Sequence, residues 1–463
     1  MAVKKTAPWL LLLLLIAAAG YRAGVKYVWA PGDIAAGIRV KDVSIGGMNK
    51  QQAREKLIAL QNKMMTIPVT ITYKDQCWPL PLREVGLKID TEETLRRAMN
   101  IGHRGSFIEC MRLRHRIRKE GYVLAPVLTV DLKSLTAVVE RLAGHLNVPA
   151  KSAAFAIDDN DRVIITPSQN GQCIDMKQLK LKLEQELLVK EQINLPLTIR
   201  EVAPEYTTED IQEMGITGLL SSYTTAFDPA LVNRAYNIRV AANALDGLLV
   251  VPGEEVSFNE VVGPRSSEAG YKEAGVIVDN EMVKGLGGGV CQVSTTLYNA
   301  VLLADIEVVE RKNHSLPVSY VPIGRDATVV YGAVDLKFQN NTGRCLYFKT
   351  EVSSGQITVK IFGDVSRKKK VVVNSWIEKE LEPRVTYEED ENLKKGQEVV
   401  KQEGSKGYIA RTERLVIENG RVIRRDELPA SRYNPVDKII AVGTAEREPV
   451  VTPPAEMVIN KKH

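Results

Sequence analysis

The segment Gly285-Leu-Gly-Gly-Gly-Val-Cys-Gln-Val-Ser-Thr-Thr-Leu-Tyr-Asn-Ala300 is the stretch on which the fold prediction depends. Four of its first five residues are glycines, which allow backbone conformations and close contacts that other residues forbid. Apolar residues then recur with the spacing of one helix face, at Leu297, Ala300, Val301 and Ala304. The segment therefore predicts a tight turn that leads into a helix beginning within residues 291–296. The candidate N-cap residues are Ser294, Thr295 and Thr296.

Cys291 lies at the predicted start of this helix. The N-terminal end of a helix carries partial positive charge, which favours the thiolate form of a cysteine there. Two interpretations follow: the cysteine is a nucleophile, or the glycine segment is a structural turn beside an ordinary buried thiol. A glycine-rich loop before a helix also holds phosphate in nucleotide-binding proteins. The Gly-Lys-Ser/Thr sequence of those loops is missing, so we expect no nucleotide.

Around this segment, residues 216–352 are predicted to form an α+β domain. A strand over 219–227 and a helix over 232–245 are expected before the glycine turn. After the cysteine-bearing helix we expect a series of short, mostly antiparallel strands, at 306–311, 317–321, 328–331, 334–339 and 345–351.

Two similar α+β modules precede this domain, at 37–125 and 126–203. The segment 82–90 matches 166–175 at an offset of 85 residues, the separation of Asp90 and Asp175. Each segment follows a strand-like run and precedes a helical run, so the order of elements repeats.

The region that follows the central domain, residues 368–445, predicts a small extended β module. Short strands alternate there with glycine turns, and charged residues are frequent, so its core is thin. The tail 446–463 is rich in proline and charge and is predicted to be disordered. The fold class is therefore α+β and multidomain: two repeated modules, a central domain whose cysteine-bearing helix is followed by antiparallel strands, and an all-β module.

The N-terminus predicts export. Lys4 and Lys5 precede an apolar run over 7–19, which is the pattern of a basic region followed by a hydrophobic one. Residues 1–30 are predicted as a membrane anchor or a signal peptide. We favour a single-pass N-terminal anchor with the rest of the chain outside the cell; the alternative is cleavage and secretion to the cell wall.

Composition excludes several classes of function. The 463 residues are 44% hydrophobic and 26% charged, as in folded globular domains. The net charge of +5 comes without a Lys/Arg stripe interleaved with aromatic residues, so no nucleic acid is expected. Cysteines and histidines lack zinc spacing, so we predict no metal and no cofactor. A basic cluster at 104–119 is either a solvated helix face or a patch that contacts anionic polymer or lipid.

Several separated blocks of the central domain together resemble the VanW family, which is named after an accessory protein of vancomycin-resistance clusters. The blocks are Pro252–Asn259, Gly263–Arg265, Gly270–Tyr271, Gly287–Asn299, Arg311–Ser315 and Gly324–Ala327. The repeated modules look like the peptidoglycan-binding repeat that often precedes VanW domains. The C-terminal module is similar to the G-five domain of bacterial surface adhesins and wall enzymes.

The resemblance implies a place in the bacterial cell wall rather than a reaction. The partners that it implies are peptidoglycan and wall polymers that contain N-acetylglucosamine. It also implies a role in cell-wall maintenance or in the response to glycopeptide antibiotics such as vancomycin. We carry over no catalytic activity from the family, so the chemistry has to be argued from the residues.

A thiol nucleophile needs a base and a group that orients the base. His314 and Asp326 follow Cys291 in the chain, separated by predicted strands, an order similar in topology to papain-like and transglutaminase-like enzymes. The oxyanion is expected to be bound at Gly288, Gly289 and Gln292. Arg265 or Arg325 is the candidate for a substrate carboxylate.

Each of these residues also has a structural interpretation. In that interpretation Asp326 caps the turn at 323–326, and His314 only forms a hydrogen bond with a backbone group. Two hypotheses therefore remain: a wall-binding protein without catalysis, and a Cys-His-Asp hydrolase or transpeptidase that acts on peptide or amide bonds of peptidoglycan.

Overall fold

The computed structural model describes residues 8–29, 33–189, 192–278 and 281–446. The tail predicted to be disordered lies outside the described residues, apart from Glu446. Contacts divide the chain into two compact units. Unit 1 comprises Met1–Ser152 and Ser168–Glu205, and unit 2 comprises Ala153–Pro167 and Tyr206–His463.

The first part of the chain is built from short helices and strands. Helices α1–α6 are Pro8–Trp29, Lys50–Met64, Thr91–Asn100, Phe107–Glu120, Leu132–Ala143 and Met176–Val189. Strands β1–β12 are Ile38–Val40, Val43–Ser44, Pro68–Tyr73, Gln76–Pro81, Leu87–Ile89, Tyr122–Leu124, Leu128–Val130, Ala154–Ile157, Val163–Thr166, Gly171–Ile174, Ile193–Pro196 and Ile199–Val202.

The same order of elements occurs twice in this part of the chain. A helix, a β-hairpin, a strand and a second helix occur as α2, β3–β4, β5, α3 and again as α5, β8–β9, β10, α6. The apolar face of α2 (Ala53, Leu57, Leu60 and Met64) has helical spacing and is buried in the core of unit 1. The second hairpin, β8–β9, belongs to unit 2.

Within the described part of the chain, no helix combines the length and the apolarity that crossing a bilayer requires.

One prediction about the first part of the chain needs correction. The basic segment forms α4, but Arg114 is buried there rather than exposed. Its guanidinium lies 3.2 Å from His103 Nε2 and 3.4 Å from the backbone oxygen of Asp33, which removes it from any surface patch.

The central domain of unit 2 contains a four-stranded antiparallel sheet of order β13-β21-β20-β14. Its helices α7–α10 are Thr208–Glu213, Val232–Leu245, Phe258–Val262 and Val290–Leu303. Its strands β13–β21 are Gly218–Ala226, Leu249–Val250, Glu255–Ser257, Glu273–Val278, Glu281–Leu286, Glu307–Glu310, Lys337–Gln339, Leu346–Ser353 and Gln356–Gly363. Strands β15, β19 and β18 form a second, smaller sheet.

Helix α10 is the centre of this domain, since twelve of its fourteen side chains are buried. It packs on β13 and β21 and against α8, and a helix buried on all sides belongs to a core rather than to a surface. The helix begins at Val290, with Gly289 as its N-cap at φ +110°, so the predicted hydroxyl caps are wrong. Ser294, Thr295 and Thr296 lie inside the helix. Their hydroxyls bond to β13 and to the loop at Ala327 instead of capping the helix start.

The segment between β18 and β19 differs from the prediction. Residues 317–321 form no strand, and 328–331 make only isolated bridges, Lys312 with Thr328 and Val330 with Val334. Hydrogen bonds from side chains of α10, rather than a strand ladder, hold this segment. Strand β21, which lies in the middle of the main sheet, was not predicted.

The C-terminal module is all β, as predicted. Strands β22–β27 are Lys370–Leu381, Val385–Lys394, Glu398–Gln402, Gly407–Glu418, Arg421–Tyr433 and Lys438–Ala445. They form two three-stranded sheets, β22-β25-β26 and β23-β27-β24. The fold class is therefore confirmed as α+β with an all-β C-terminal module.

Candidate active site

The glycine turn fixes the start of α10. Gly287 and Gly289 have φ angles of +79° and +110°, which glycine adopts without strain. Gly288 is required for a different reason: a Cβ atom there would lie 2.5 Å from the backbone oxygen of Gly275. The buried amide of Asn237 donates to the Gly288 oxygen at 3.0 Å and so ties the turn to α8.

Cys291 is the second residue of α10 and is half-buried. Its sulfur lies 3.5 Å from the Val329 oxygen and 3.6 Å from Thr328 Oγ1. Burial raises the pKa of the Cys291 thiol, but hydrogen bonding to His314 and the charge of that ring outweigh burial, so the pKa is lowered from its usual value. The thiol is therefore poised to ionise.

His314 is the residue that acts on this thiol, and it is 6% exposed. Its Nδ1 lies 2.6 Å from Asp326 Oδ2, and its backbone N–H donates to the same oxygen at 2.7 Å. A carboxylate only accepts, so Nδ1 carries the proton and Nε2 remains for the thiol. Burial lowers the pKa of His314, but hydrogen bonds with Asp326 and Cys291 raise it to about 9.

Asp326 is the buried anchor of the site, with 1% exposure. While Oδ2 faces His314, Oδ1 accepts from the Arg311 guanidinium at 3.2 Å and from the Tyr433 hydroxyl. Burial raises the pKa of Asp326, but the hydrogen bond to His314 and the charge of Arg311 lower it below its usual value. The Asp326 carboxylate therefore remains ionised although it is buried.

Helix α10 also positions the loop that carries Asp326. Ser294 Oγ donates to the Ala327 oxygen at 2.7 Å, and the Ala327 N–H donates to Thr295 Oγ1 at 3.0 Å. Asn299 donates to the Arg325 oxygen at 2.9 Å. One helix thus carries the thiol and holds the carboxylate loop.

Two arginines, Arg265 and Arg234, lie close enough to Cys291 for their charges to interact with its thiolate. Arg265 is half-buried, with its guanidinium 5.4 Å from the ring of Phe258 and 5.9 Å from that of Tyr331. Its Nη2 is buried and has no hydrogen-bond partner among the described residues. Burial lowers the pKa of Arg265 and of Arg234, while the charge of Cys291 acts in the opposite direction on both.

The other candidates from the sequence lie close to the triad but are occupied. Gln292 donates to Thr225 Oγ1 at 2.9 Å and to the Ala226 oxygen at 2.8 Å, so its amide N–H groups are directed to β13. Arg325 donates to Asn299 at 2.8 Å and lies over the ring of Tyr223. Both side chains stabilise the surroundings of the site.

Three residues at the site were missed from sequence: Arg234, Arg311 and Tyr433. Arg311 stands in one of the family-like blocks, so its position within that block was an available signal. Arg234 lies on α8 without any motif. Tyr433 comes from β26, 107 residues after Asp326, and no local pattern connects the two.

The family model described as "VanW like protein" matches residues 233–362. This range contains the thiol, the histidine and the carboxylate. Residues 233–362 therefore form a VanW-like domain. Two further models flank the VanW match: one described as a peptidoglycan binding domain at 78–194 and one described as the G5 domain at 372–445. This domain composition is that of a cell-wall-associated protein.

Two curated relatives resemble the VanW part of the chain. "Uncharacterized protein YoaR" of Bacillus subtilis is 42% identical over 146 residues, 32% of this chain and 48% of the relative. "Vancomycin B-type resistance protein VanW" of Enterococcus faecalis is 30% identical over 151 residues, 31% of this chain and 55% of the relative. The chain therefore spans about half the length of each of these relatives.

Two solved structures are similar to the G5 part. The IgA1 protease G5 domain is 25% identical and covers 17% of this chain and 96% of its own, with a TM-score of 0.14. The HP0197-G5 crystal structure is 20% identical and covers 16% and 97%, with a TM-score of 0.12.

The ionisation of Cys291 in the VanW domain gives the first prediction. Alkylation of the full chain with iodoacetamide across pH, quantified by mass spectrometry on the peptide 285–311, should show a midpoint clearly below the free-thiol value of about 8.5. His314→Ala removes the group that lowers the thiol pKa, so the midpoint should move up toward that value.

Cys77, which is exposed, is an internal reference in the same digest, since its profile should not respond to His314→Ala. A midpoint near 8.5 for Cys291 in both proteins would contradict a thiolate–imidazolium pair.

Proposed function

We propose that the VanW domain is a thiol-dependent acyl-transfer enzyme, a hydrolase or transpeptidase, that acts on peptide or amide bonds of peptidoglycan. The observation that carries the proposal is the bond of 2.6 Å between His314 and the buried carboxylate of Asp326, with the same histidine lowering the pKa of Cys291. A histidine that merely satisfied a backbone group would need neither the ion pair nor the neighbouring thiol.

In the first step the Cys291 thiolate attacks the carbonyl carbon of the scissile bond, and a carbon–sulfur bond forms. The carbonyl oxygen takes the negative charge. The His314 imidazolium then gives its Nε2 proton to the leaving nitrogen, the carbon–nitrogen bond breaks, and a thioester remains on the enzyme. Asp326 keeps the ring in the tautomer that this transfer requires.

In the second step the thioester is resolved. Water or an amine attacks the carbonyl carbon, His314 accepts the proton of the attacking group, and the carbon–sulfur bond breaks to restore the thiolate. Water completes hydrolysis, whereas an amine of a second peptide completes transpeptidation. The residues of the site serve both outcomes, so the acceptor that reaches the thioester decides between them.

The turn before α10 suits the oxyanion. The first N–H groups of a helix lack partners within the helix. Those of Val290 and Gln292 already donate to the oxygens of Gly287 and Gly289, at 3.1 and 3.0 Å. The donors that we propose for the oxyanion are therefore the backbone N–H groups of Gly288, Gly289 and Cys291, and not Gln292.

Arg265, together with Arg234, is proposed to bind a substrate carboxylate. A buried guanidinium nitrogen without a partner, as at Arg265 Nη2, is costly unless an anion pairs with it. Stem peptides of peptidoglycan carry free carboxylates near their peptide bonds, which fits this pair. Arg325 is the weaker candidate, because Asn299 and Tyr223 already occupy its guanidinium.

The flanking domains fit delivery to such a substrate. We propose that the repeated N-terminal modules bind peptidoglycan and that the G5 module binds wall polymer that contains N-acetylglucosamine. The site of action is then outside the cell, at the wall, and the similarity to a protein named for vancomycin resistance supports a role in wall maintenance or in the response to glycopeptides. A large wall polymer also explains why a protein of this size devotes much of its length to binding modules.

The proposal predicts a chemical change in peptidoglycan. The full chain incubated with purified sacculi and with soluble stem-peptide fragments should cleave or exchange a peptide or amide bond, detected as new fragment masses. Cys291→Ala should abolish the change and still be retained on sacculi. Retention of both proteins without any change in fragment masses would instead indicate a binding protein.

The third prediction concerns the substrate carboxylate. Arg265→Lys keeps one charge but loses the guanidinium fork, so kcat/KM for a stem peptide with a free terminal carboxylate should fall by about 10- to 100-fold. The same peptide as its carboxamide should already be a poor substrate and should lose little more.

Arg239→Lys is the matched control, because Arg239 is an exposed arginine of α8. It should behave as wild type with both peptides. An equal loss for the carboxylate and carboxamide peptides in Arg265→Lys would contradict this role.

A further inference from the structure

The first sheet of the G5 module makes buried polar contacts with the triad of the VanW domain. Strand β26 is exposed over most of its length, but Ser431 and Tyr433 at its end are buried, at 0% and 1% exposure. They are two residues apart and therefore lie on one face of the strand. That face is turned to the loop that carries Asp326.

Tyr433 bonds directly to the catalytic carboxylate. Its hydroxyl donates to Asp326 Oδ1 and accepts the backbone N–H of Gly324 at 2.8 Å. Burial and the charge of Asp326 both raise the pKa of Tyr433, so the phenol stays protonated and remains a donor. Oδ1 is thereby held, and Oδ2 is left to face the histidine.

Three further contacts, two from this sheet and one from the residue that follows β26, hold this loop region. Ser431 Oγ accepts from Arg311 Nη1 at 2.8 Å, and Arg311 is the cation paired with Asp326. Thr412 Oγ1 donates to the Gly324 oxygen at 3.1 Å. The backbone N–H of Asn434 donates to the Ser315 oxygen at 2.7 Å, next to His314.

The G5 sheet lies so close to the loop that carries Asp326 that it limits which residue fits at position 324. Gly324 has a φ of +83°, and a Cβ atom there would lie 2.7 Å from Thr412 Oγ1. A module that only tethered the enzyme to the wall would need neither this fit nor a buried hydroxyl on a catalytic carboxylate.

We propose that Tyr433 of the G5 module is a positioning residue of the VanW active site, so that the G5 module forms a structural part of that active site. The inference rests on the proposed thiol chemistry. Without the phenol, Asp326 is free to turn toward Arg311 and away from the ring. His314 then loses part of the hydrogen bond that raises its pKa, and the thiolate of Cys291 loses part of its counter-ion.

Tyr433→Phe in the full chain tests this proposal, because it keeps the ring and removes only the hydroxyl. The midpoint of Cys291 alkylation against pH should move up toward about 8.5. The kcat for stem-peptide conversion should fall roughly tenfold or more, with KM unchanged, as expected when a reacting group is misplaced. Thermal unfolding of the variant verifies that it is folded.

Tyr408→Phe is the matched control. Tyr408 lies opposite Tyr433 in the β25–β26 ladder, and its hydroxyl has no hydrogen bond among the described residues. This variant should leave both the midpoint and kcat as in wild type. If Tyr433→Phe does not fold, Ser431→Ala, which removes the partner of Arg311, should move the midpoint in the same direction.

An alkylation midpoint in Tyr433→Phe that equals that of wild type, or that lies at lower pH, would overturn the proposal. The midpoint needs no substrate, so it separates the two claims. If wild type converts no stem peptide but Tyr433→Phe still raises the midpoint, the acyl-transfer function fails while the positioning of the triad by the G5 module stands.

Discussion

The ion pair between His314 and the buried carboxylate of Asp326 is the interaction on which the site depends. A carboxylate at 1% exposure is stable only when its oxygens are satisfied, since an unpaired buried charge is strongly unfavourable. Here one oxygen serves the histidine and the other is held by Arg311 and Tyr433. The loops, the helix and the C-terminal sheet that supply these groups are all constrained by this requirement.

The second constraint is space at the start of α10. Three consecutive glycines let the turn approach neighbouring backbone and two arginine side chains: a Cβ atom at position 287 would lie 2.8 Å from Arg265 Cγ, and one at 289 would lie 3.1 Å from Arg234 Cγ. The same glycines place Cys291 at the positive end of a helix buried on nearly every side. In the proposed mechanism, an acyl substrate would meet the thiolate, the guanidinium groups of Arg265 and Arg234, and backbone N–H groups of this turn.

Sequence alone could predict the parts of this account that have local signals. The glycine turn, the helix at 232–245 and the repeated order of elements over residues 37–203 each follow from composition or periodicity over short windows. The order of Cys291, His314 and Asp326 could be proposed, but their approach depends on a loop held by α10 side chains rather than by a strand ladder. Ser294, Thr295 and Thr296 are residue types that often cap a helix. Here they lie inside the helix, and their hydroxyls bond to other segments of the domain. Tyr433 had no local signal, because its role arises only where the G5 sheet packs on the VanW domain.

Trapping the acyl-enzyme tests most directly whether Cys291 is an acyl-transfer nucleophile. The full chain is mixed with a stem peptide, quenched in acid within the first turnovers, digested, and analysed by mass spectrometry on the peptide 285–311. We expect a mass increase equal to the acyl part of the stem peptide, located at Cys291, labile to hydroxylamine as a thioester is, and absent in His314→Ala. A peptide that turns over while Cys291 remains unmodified at every quench time, or an adduct on another residue, would contradict it.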